Sequence, residues 1–165
     1  MLLAVSLASA FFLPCAFATT TIVISRTADF IRPDEIADNI KNESKLPEAQ
    51  SQYLQEALVA KRYNVELSDA TEVPKSGIYV KVGITAAISE GNAFIGHRKM
   101  VGVLAILYIN GVEVAKTTKT RDSMGGAFAG FKGSSAVLHR CCNTLGKDLA
   151  IWVDQELPTE AIQKK

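Results

Sequence analysis

The chain has 165 residues, of which 18 are Lys or Arg and 17 are Asp or Glu, so its formal net charge at pH 7 is +1. Its basic residues between Lys75 and Arg140 fall mostly at the ends of predicted strands. They lack the interleaved aromatic residues or the single helix face of a nucleic-acid-binding surface. They predict a solvated sheet rim, and we expect no nucleic-acid partner.

Residues 1–18 are almost wholly apolar, carry no charge and end in Ala16-Phe17-Ala18, an A-x-A cleavage pattern. The run is shorter than the roughly 20 apolar residues of a membrane-spanning helix, and no later run approaches that length. We predict a signal peptide over residues 1–18, cleaved after Ala18, and a single domain over 19–165. This domain is expected in the periplasm or outside the cell. The alternative is a buried amino-terminal helix.

Cys15 raises the question of a lipid anchor. Pro14 stands directly before it, where a lipidation site carries a small residue. We therefore expect no lipid anchor. The mature chain is predicted to lack a transmembrane segment, and peripheral association with a membrane stays open.

The first half of the mature chain predicts a strand, a long helix and a second strand. Residues 20–25 are rich in β-branched side chains, which favours a strand. One or two helical turns follow Pro33, and Pro47 stands at a position that suits the first turn of a helix ending near Tyr63. The apolar stripe of this helix comprises Leu46, Tyr53, Leu54, Ala57, Leu58 and Ala60. Residues 64–68 predict the second strand.

The second half predicts three longer strands and a final helix. Residues 78–88 alternate in character, which is typical of a strand with one core face. Its predicted core residues are Ile78, Val80, Val82, Ile84, Ala86 and Ile88. The final helix begins at Ser134 or Ser135, because either serine can cap it. Its apolar stripe comprises Leu138, Cys142, Leu145, Leu149 and Trp152.

A β-hairpin is the strongest local signal in the chain. It joins predicted strand four, over about 98–109, to strand five, over about 112–121. Asn110-Gly111 supplies the two residues of positive φ that a type I′ turn requires. This turn pairs two sets of residues across the strands: Ile109 with Val112, and Leu107 with Val114.

The predicted elements follow one another as strand, helix, strand, strand, hairpin strand, glycine-rich loop and helix. This order predicts an α+β two-layer sandwich. Its sheet is expected to be largely antiparallel, with about five strands, and both helices are expected on one face.

Predicted strand four is apolar on both faces. Val101, Val103, Ala105, Leu107 and Ile109 alternate with Met100, Gly102, Leu104, Ile106 and Tyr108. Because two helices cover only one face of a sheet, the other face is left for the remaining chain, another subunit or a partner. The residues predicted to contact a partner there are Met100, Leu104, Ile106 and Tyr108.

Residues 123–135, SMGGAFAGFKGSS, form a glycine-rich segment ahead of the final helix. A phosphate-binding loop of the Walker type is excluded, because Phe131 takes the lysine position and Lys132 comes one residue late. Anion binding by backbone amides at the helix start stays open, as does membrane contact. We predict a contact loop in which Phe128 and Phe131 hold the segment to the core or, with Lys132, to a partner.

The order of these features resembles a family of small bacterial envelope proteins of unknown function, often lipoproteins. The stretches that carry the resemblance are GHRKMVGVLAILYINGVEVAKTTKT, GGAFAGFKGSS and LGKDLAIWV. The layout is also similar to the amino-terminal domain of TolB and to outer-membrane accessory lipoproteins. The resemblance covers roughly residues 22–153 and implies a fold, an envelope location and a binding or assembly role. It implies no catalytic residues, and the chain departs from it in lacking a lipidation cysteine.

Catalytic and metal-binding patterns are weak throughout the chain. On a helix, His139 faces away from Cys141, so it is not placed to activate that thiol. Adjacent helical cysteines do not close a relaxed disulfide, so Cys141 and Cys142 predict buried thiols, with bridging to another chain as the alternative. His and Cys spacings match no metal site, and no cofactor is expected.

Three functions remain compatible with the sequence. The favoured one is an exported, non-enzymatic protein that binds or assembles with another envelope component, or with itself, through the apolar sheet face and the glycine-rich loop. The second is a secreted inhibitor or immunity-type protein that blocks an enzyme through the loops over 90–97 and 123–133. The third is an enzyme whose site is built from dispersed residues.

Overall fold

The computed structural model describes residues 21–43, 45–92, 96–124 and 134–158. Its strands are β1 (Thr21–Ser25), β2 (Asp29–Phe30), β3 (Asn64–Ser68), β4 (Ile78–Asn92), β5 (Gly96–Ile109) and β6 (Val112–Met124). Its helices are α1 (Asp38–Glu43), α2 (Leu46–Ala60) and α3 (Ser134–Glu156), and a short 3-10 turn spans Pro33–Glu35. The predicted signal peptide lies outside the described residues, so the cleavage site and the domain boundary stay predictions.

The strands form one mixed sheet in the order β3-β1-β4-β5-β6, with β2 paired to β4. The three long strands β4, β5 and β6 are antiparallel, whereas β1 runs parallel to both β3 and β4. The predicted α+β class, with its largely antiparallel sheet, is confirmed. The parallel part arises because α2 carries the chain from β1 back to the same end of the sheet before β3 begins.

Both long helices pack on the same face of the sheet, which we call the inner face. The core residues of β5 there are Val101, Val103, Ala105 and Leu107, all fully buried. The predicted stripe of α3 is also buried, from Leu138 to Trp152. On α2, Leu46, Leu54 and Leu58 are buried as expected, whereas Ala60 is exposed.

The hairpin forms around Asn110 and Gly111, with φ angles of 52° and 80°. Ile109 pairs with Val112, as predicted. The predicted pairing of Leu107 with Val114 is wrong, because the register shifts next to Leu107 and places Ala115 opposite it. A bulge of this kind adds one residue to one strand and bends it.

A second irregularity corrects the predicted core face of β4. The pairing of β4 with β5 shifts between Ile84 and Ala86. Because side chains alternate along a strand, the shift brings Ala87 to the inner face, where it is buried, and turns Ala86 towards Gly102. The predicted alternation through Ala86 and Ile88 is therefore wrong beyond Ile84.

Helices α2 and α3 approach each other closely at Gly146. A methyl group at this position would lie 2.7 Å from the carbonyl carbon and oxygen of Tyr53 and 2.9 Å from the amide nitrogen of Leu54. The absence of a side chain thus lets the backbones of the two helices meet. At the ends of the helices, the carboxylate of Asp154 accepts hydrogen bonds from Tyr63 and, at 3.1 Å, from Lys61.

Gln50 is an unusual core residue, because its amide group is fully buried in α2 and its polar atoms have no hydrogen-bond partner within the described part of the chain. An unsatisfied buried amide costs free energy that an apolar group of similar shape does not. We expect Gln50→Met to raise the free energy of unfolding by about 1–2 kcal/mol, measured by chemical denaturation. Gln52→Met, at an exposed position of the same helix, is the control and should change it little. A destabilised Gln50→Met variant would contradict this account.

Candidate functional site

The face of the sheet turned away from the helices, which we call the outer face, holds the four predicted contact residues of β5. Met100, Leu104, Ile106 and Tyr108 are partly exposed there, whereas their inner-face neighbours are fully buried. Because side chains alternate along β5, one apolar face of the strand is covered by the helices and the other remains partly accessible to solvent. What these four residues contact outside the chain stays a prediction.

Two basic side chains of the neighbouring strands lie beside Ile106 in this row. Ile106 pairs with Lys81 of β4 on one side and with Lys116 of β6 on the other. Both lysines are exposed, and their aliphatic stems can cover apolar surface while the charged ends reach water. Ile106 is thus an apolar position flanked by two positive charges.

The row changes in character along its length. Tyr108, at one end, lies beside Tyr79 of β4, with ring centroids 6.3 Å apart. Leu104, within the row, pairs with Gly83, and a methyl group at Gly83 would lie 2.8 Å from the side chain of Ile31. Ile31 therefore crosses the outer face beside β2, although 46% of it remains exposed. One end of the row is thus aromatic, and the chain itself partly covers the surface beside Leu104.

The remaining predicted contact residues, Phe128, Phe131 and Lys132, lie outside the described residues. Helix α3 begins at Ser134, one of the two predicted starts. The contact role of the glycine-rich segment stays a prediction.

Cys141 and Cys142 are free thiols on the buried side of α3, 5% and 0% exposed. Burial raises the pKa of both, that of Cys142 to about 12. His139 is directed elsewhere, with its Nδ1 3.3 Å from the Tyr53 hydroxyl. The prediction of buried thiols is confirmed, and this arrangement provides neither exposure nor an activating base for a nucleophile.

These buried thiols predict a loss of stability at high pH. The pKa of Cys142 is raised from 9.0 to about 12 on folding, so above pH 9 the unfolded chain releases a proton that the folded chain retains. The contribution of the buried Cys142 thiol to the free energy of unfolding is fully present below pH 9. It is lost as the pH rises towards about 12. Unfolding curves across this range should show a smaller fall for Cys142→Ala than for the wild type. An equal fall in both would contradict the assignment, since Cys141 and the buried tyrosines would then account for all of it.

Across the described ranges, no group of three His, Cys, Asp or Glu residues is arranged to hold a metal ion. The part of the chain that the structure describes also contains no helix long and apolar enough to cross a bilayer.

The sequence did not reveal a groove on the outer surface of the helix layer. This groove has a volume of about 450 Å³ and lies between α2 and α3. Its apolar lining includes Ala57, Ala150 and Ile151. Ile151 was the available signal, because it is apolar but does not belong to the buried stripe of α3.

The sequence also did not reveal a polar crevice of about 230 Å³ at the carboxyl ends of β1 and β3. Its residues come from three separate segments, so no local spacing marks them. The runs Ser25-Arg26-Thr27 and Ser68-Asp69-Ala70-Thr71, each directly after a predicted strand, were the available signal.

Comparison with known proteins links this chain to others through its fold alone. No family model matches the chain, and no curated protein matches its sequence. A minor lipoprotein from Acinetobacter baumannii shares the fold with a TM-score of 0.53 and 8% identity, over 83% of this chain and 94% of that chain. A Xanthomonas campestris protein of the DUF330 family follows with a TM-score of 0.51 and 10% identity, over 82% and 84%.

A PelC dodecamer from Paraburkholderia phytofirmans also shares the fold, with a TM-score of 0.50 and 14% identity, over 79% of this chain and 88% of the PelC chain. The first of these likenesses shows that the fold also occurs in a bacterial lipoprotein. At such low identities they show a common architecture. The similarity in layout to TolB stays a prediction.

Proposed function

We propose that this protein is a non-enzymatic component of the cell envelope that acts by assembling with further copies of itself through the outer face of its sheet. The observation that carries the proposal is the row of Met100, Leu104, Ile106 and Tyr108. These residues form an apolar row on a long central strand, on the face opposite both long helices. Surfaces of this kind are commonly interaction sites.

The fold comparisons support assembly and an envelope location. One protein with this fold is a dodecamer, and another is a lipoprotein. The apolar, uncharged segment over residues 1–18 supports export, with cleavage after Ala18 and a periplasmic or secreted product. Lipid attachment at Cys15 has no support in the flanking residues, so any membrane association of this chain is expected to be peripheral.

The charges beside the row permit contact between two outer faces. Lys81 and Lys116 lie next to the row, and so do the acidic Glu113 and Asp122 of β6. When two outer faces pack against each other, basic groups of one copy can therefore meet acidic groups of the other. A contact between the same surface of two copies gives a pair with twofold symmetry. A dimer through the outer face is therefore the smallest assembly that we expect.

Light scattering with size-exclusion chromatography tests this proposal on the chain over residues 19–165. We expect the wild type to elute with the mass of two or more chains, and Ile106→Glu to elute as a monomer. The fold should survive the substitution, because Lys81 and Lys116 can pair with the new carboxylate. Val59→Glu, on the exposed side of α2, is the matched control and should not change the mass. A monomeric wild type, or an unchanged mass for Ile106→Glu, would refute assembly through this face.

A further inference from the structure

The edge of β4 next to β1 is interrupted in the middle of the sheet. Ile24 pairs with Val80, and the next paired residue along this edge is Asp29, opposite Gly83. Between these points the chain turns out of the sheet over residues 26–28. Lys81 and Val82 therefore line a gap between β1 and β2.

Local contacts hold this gap open. The amide of Arg26 donates to the carbonyl of Ser68 at 2.8 Å, and the amide of Ala28 donates to Pro47 at 2.9 Å. Both amides are thus directed away from β4. The hydroxyl of Ser25 instead accepts from the amide of Val82 at 3.4 Å. The break is stabilised by specific hydrogen bonds, so it is a built feature of the fold.

The gap lies where an open sheet with parallel strands commonly binds ligands. Strands β1 and β3 are parallel, so their carboxyl ends, at Ser25 and Ser68, meet at the same edge. From β1 the chain goes to β3 on one side, and β4 then takes the place on the other side. Crevices outside the carboxyl ends of strands, at such a change of direction, are the usual ligand sites of open α/β sheets.

The crevice is small and rich in hydroxyl groups. Its volume of about 230 Å³ is below the range of about 300–1,000 Å³ of sites for drug-sized ligands. The hydroxyl groups in its lining belong to Ser25, Thr27, Ser68, Thr71 and Tyr79. Tyr79 is 3% exposed and forms part of the floor, where burial raises its pKa and its hydroxyl is hydrogen-bonded to Ser25.

The crevice is lined by equal numbers of positively and negatively charged side chains. Arg26 is paired with Asp69, with Nε 2.6 Å from Oδ1, and its Nη2 donates to the carbonyl of Leu67 at 3.2 Å. The remaining charged lining residues are Lys81 and Asp29, of opposite sign. Two positive and two negative groups give no net field for an anion or a cation. They do supply strong hydrogen-bond donors and acceptors beside the hydroxyls.

We propose that this crevice binds a small, neutral, polyhydroxylated ligand, the size of a single sugar unit. Such a ligand presents closely spaced hydroxyls that both donate and accept, which matches a lining of hydroxyls with paired charges. The crevice is polar, so the binding energy comes from these hydrogen bonds. The crevice borders the outer face, because Lys81 and Tyr79 of its lining lie next to Ile106 and Tyr108 of the row. The proposal itself does not rest on the assembly.

Nuclear magnetic resonance titration of the chain over residues 19–165 tests the site. The probes are glucose, galactose, mannose and N-acetylglucosamine, with inorganic phosphate as the anionic comparison. At least one sugar should produce saturable shifts of the backbone amides of Arg26, Asp69, Thr71 and Lys81, with a dissociation constant in the millimolar range. Phosphate should not shift these amides in a saturable way.

Substitutions at two exposed lining residues test their part in sugar binding without disturbing the core. Asp69→Asn removes a charged acceptor, and Thr71→Val removes a hydroxyl while preserving shape. Asp69→Asn should weaken sugar binding about tenfold, because a hydrogen bond to a charged group is lost. Thr71→Val should weaken it several-fold, because a neutral hydrogen bond is lost. Thr118→Val, on the outer face of β6, is the matched control and should bind as the wild type does.

Each alternative result overturns the proposal. No saturable shift with any of the four sugars would show that the crevice does not bind this class of ligand. Saturable shifts by phosphate at the same amides would instead identify an anion site. Sugar affinity that is unchanged in both Asp69→Asn and Thr71→Val would place the binding elsewhere on the protein.

Discussion

Gly146→Ala is expected to lower the free energy of unfolding by about 2–3 kcal/mol, as other overpacking substitutions in well-packed interiors do. The new methyl group would lie 2.7 Å from the carbonyl group of Tyr53, which is too close for two non-bonded carbon atoms. Backbone atoms of α2 do not rotate away as a flexible side chain would, so the helices must separate. This cost outweighs the roughly 1 kcal/mol by which alanine is the better helix former.

Denaturation in urea measures this change, with Lys147→Ala as the control. Lys147 is the next residue of α3 and is exposed, so its truncation should alter stability by less than about 0.5 kcal/mol. If Gly146→Ala were as stable as the wild type, the close approach of α2 and α3 would be wrong.

Two leucines of β5 should respond very differently to truncation. Leu107→Ala is expected to lower the free energy of unfolding by about 3–4 kcal/mol, because it leaves a cavity in a fully buried region. Leu104→Ala should cost only about 1 kcal/mol, since this side chain lies on the outer face and is partly exposed. The two residues are three positions apart on one strand, so the comparison tests which face the helices cover.

Equilibrium unfolding at low protein concentration provides the comparison, because dilution keeps assembly from adding stability to the outer face. Equal losses for the two variants would mean that both faces of β5 are covered within one chain. A larger loss for Leu104→Ala would reverse the assignment of inner and outer faces.

Much of this fold was accessible from the sequence because its signals are local. Asn110-Gly111 defines the hairpin by backbone conformation, and the apolar stripe of α3 follows its helical period from Leu138 to Trp152. The two bulges are different, because they depend on how neighbouring strands align. The shift beside Leu107 and the shift after Ile84 leave the alternation of apolar residues in the sequence unbroken.

The two candidate sites also differ in whether the sequence could predict them. The outer face was predictable, because β5 is apolar at every second position on both sides and two helices cover only one of them. The crevice was not predictable, because it depends on β1 lying between β3 and β4 and on the break before Asp29. These are long-range relations between segments, and no spacing along the chain records them.

Photo-crosslinking in intact cells that produce the protein tests assembly through the outer face most directly. A photoreactive phenylalanine analogue replaces Tyr108, and in a second strain it replaces Val59 on the helix layer, which is 52% exposed. Irradiation should join the Tyr108 variant to a second copy of the chain, identified by mass spectrometry, and should leave the Val59 variant largely uncrosslinked. The contradicting result is an absence of crosslinks from position 108, or crosslinks to a different protein alone.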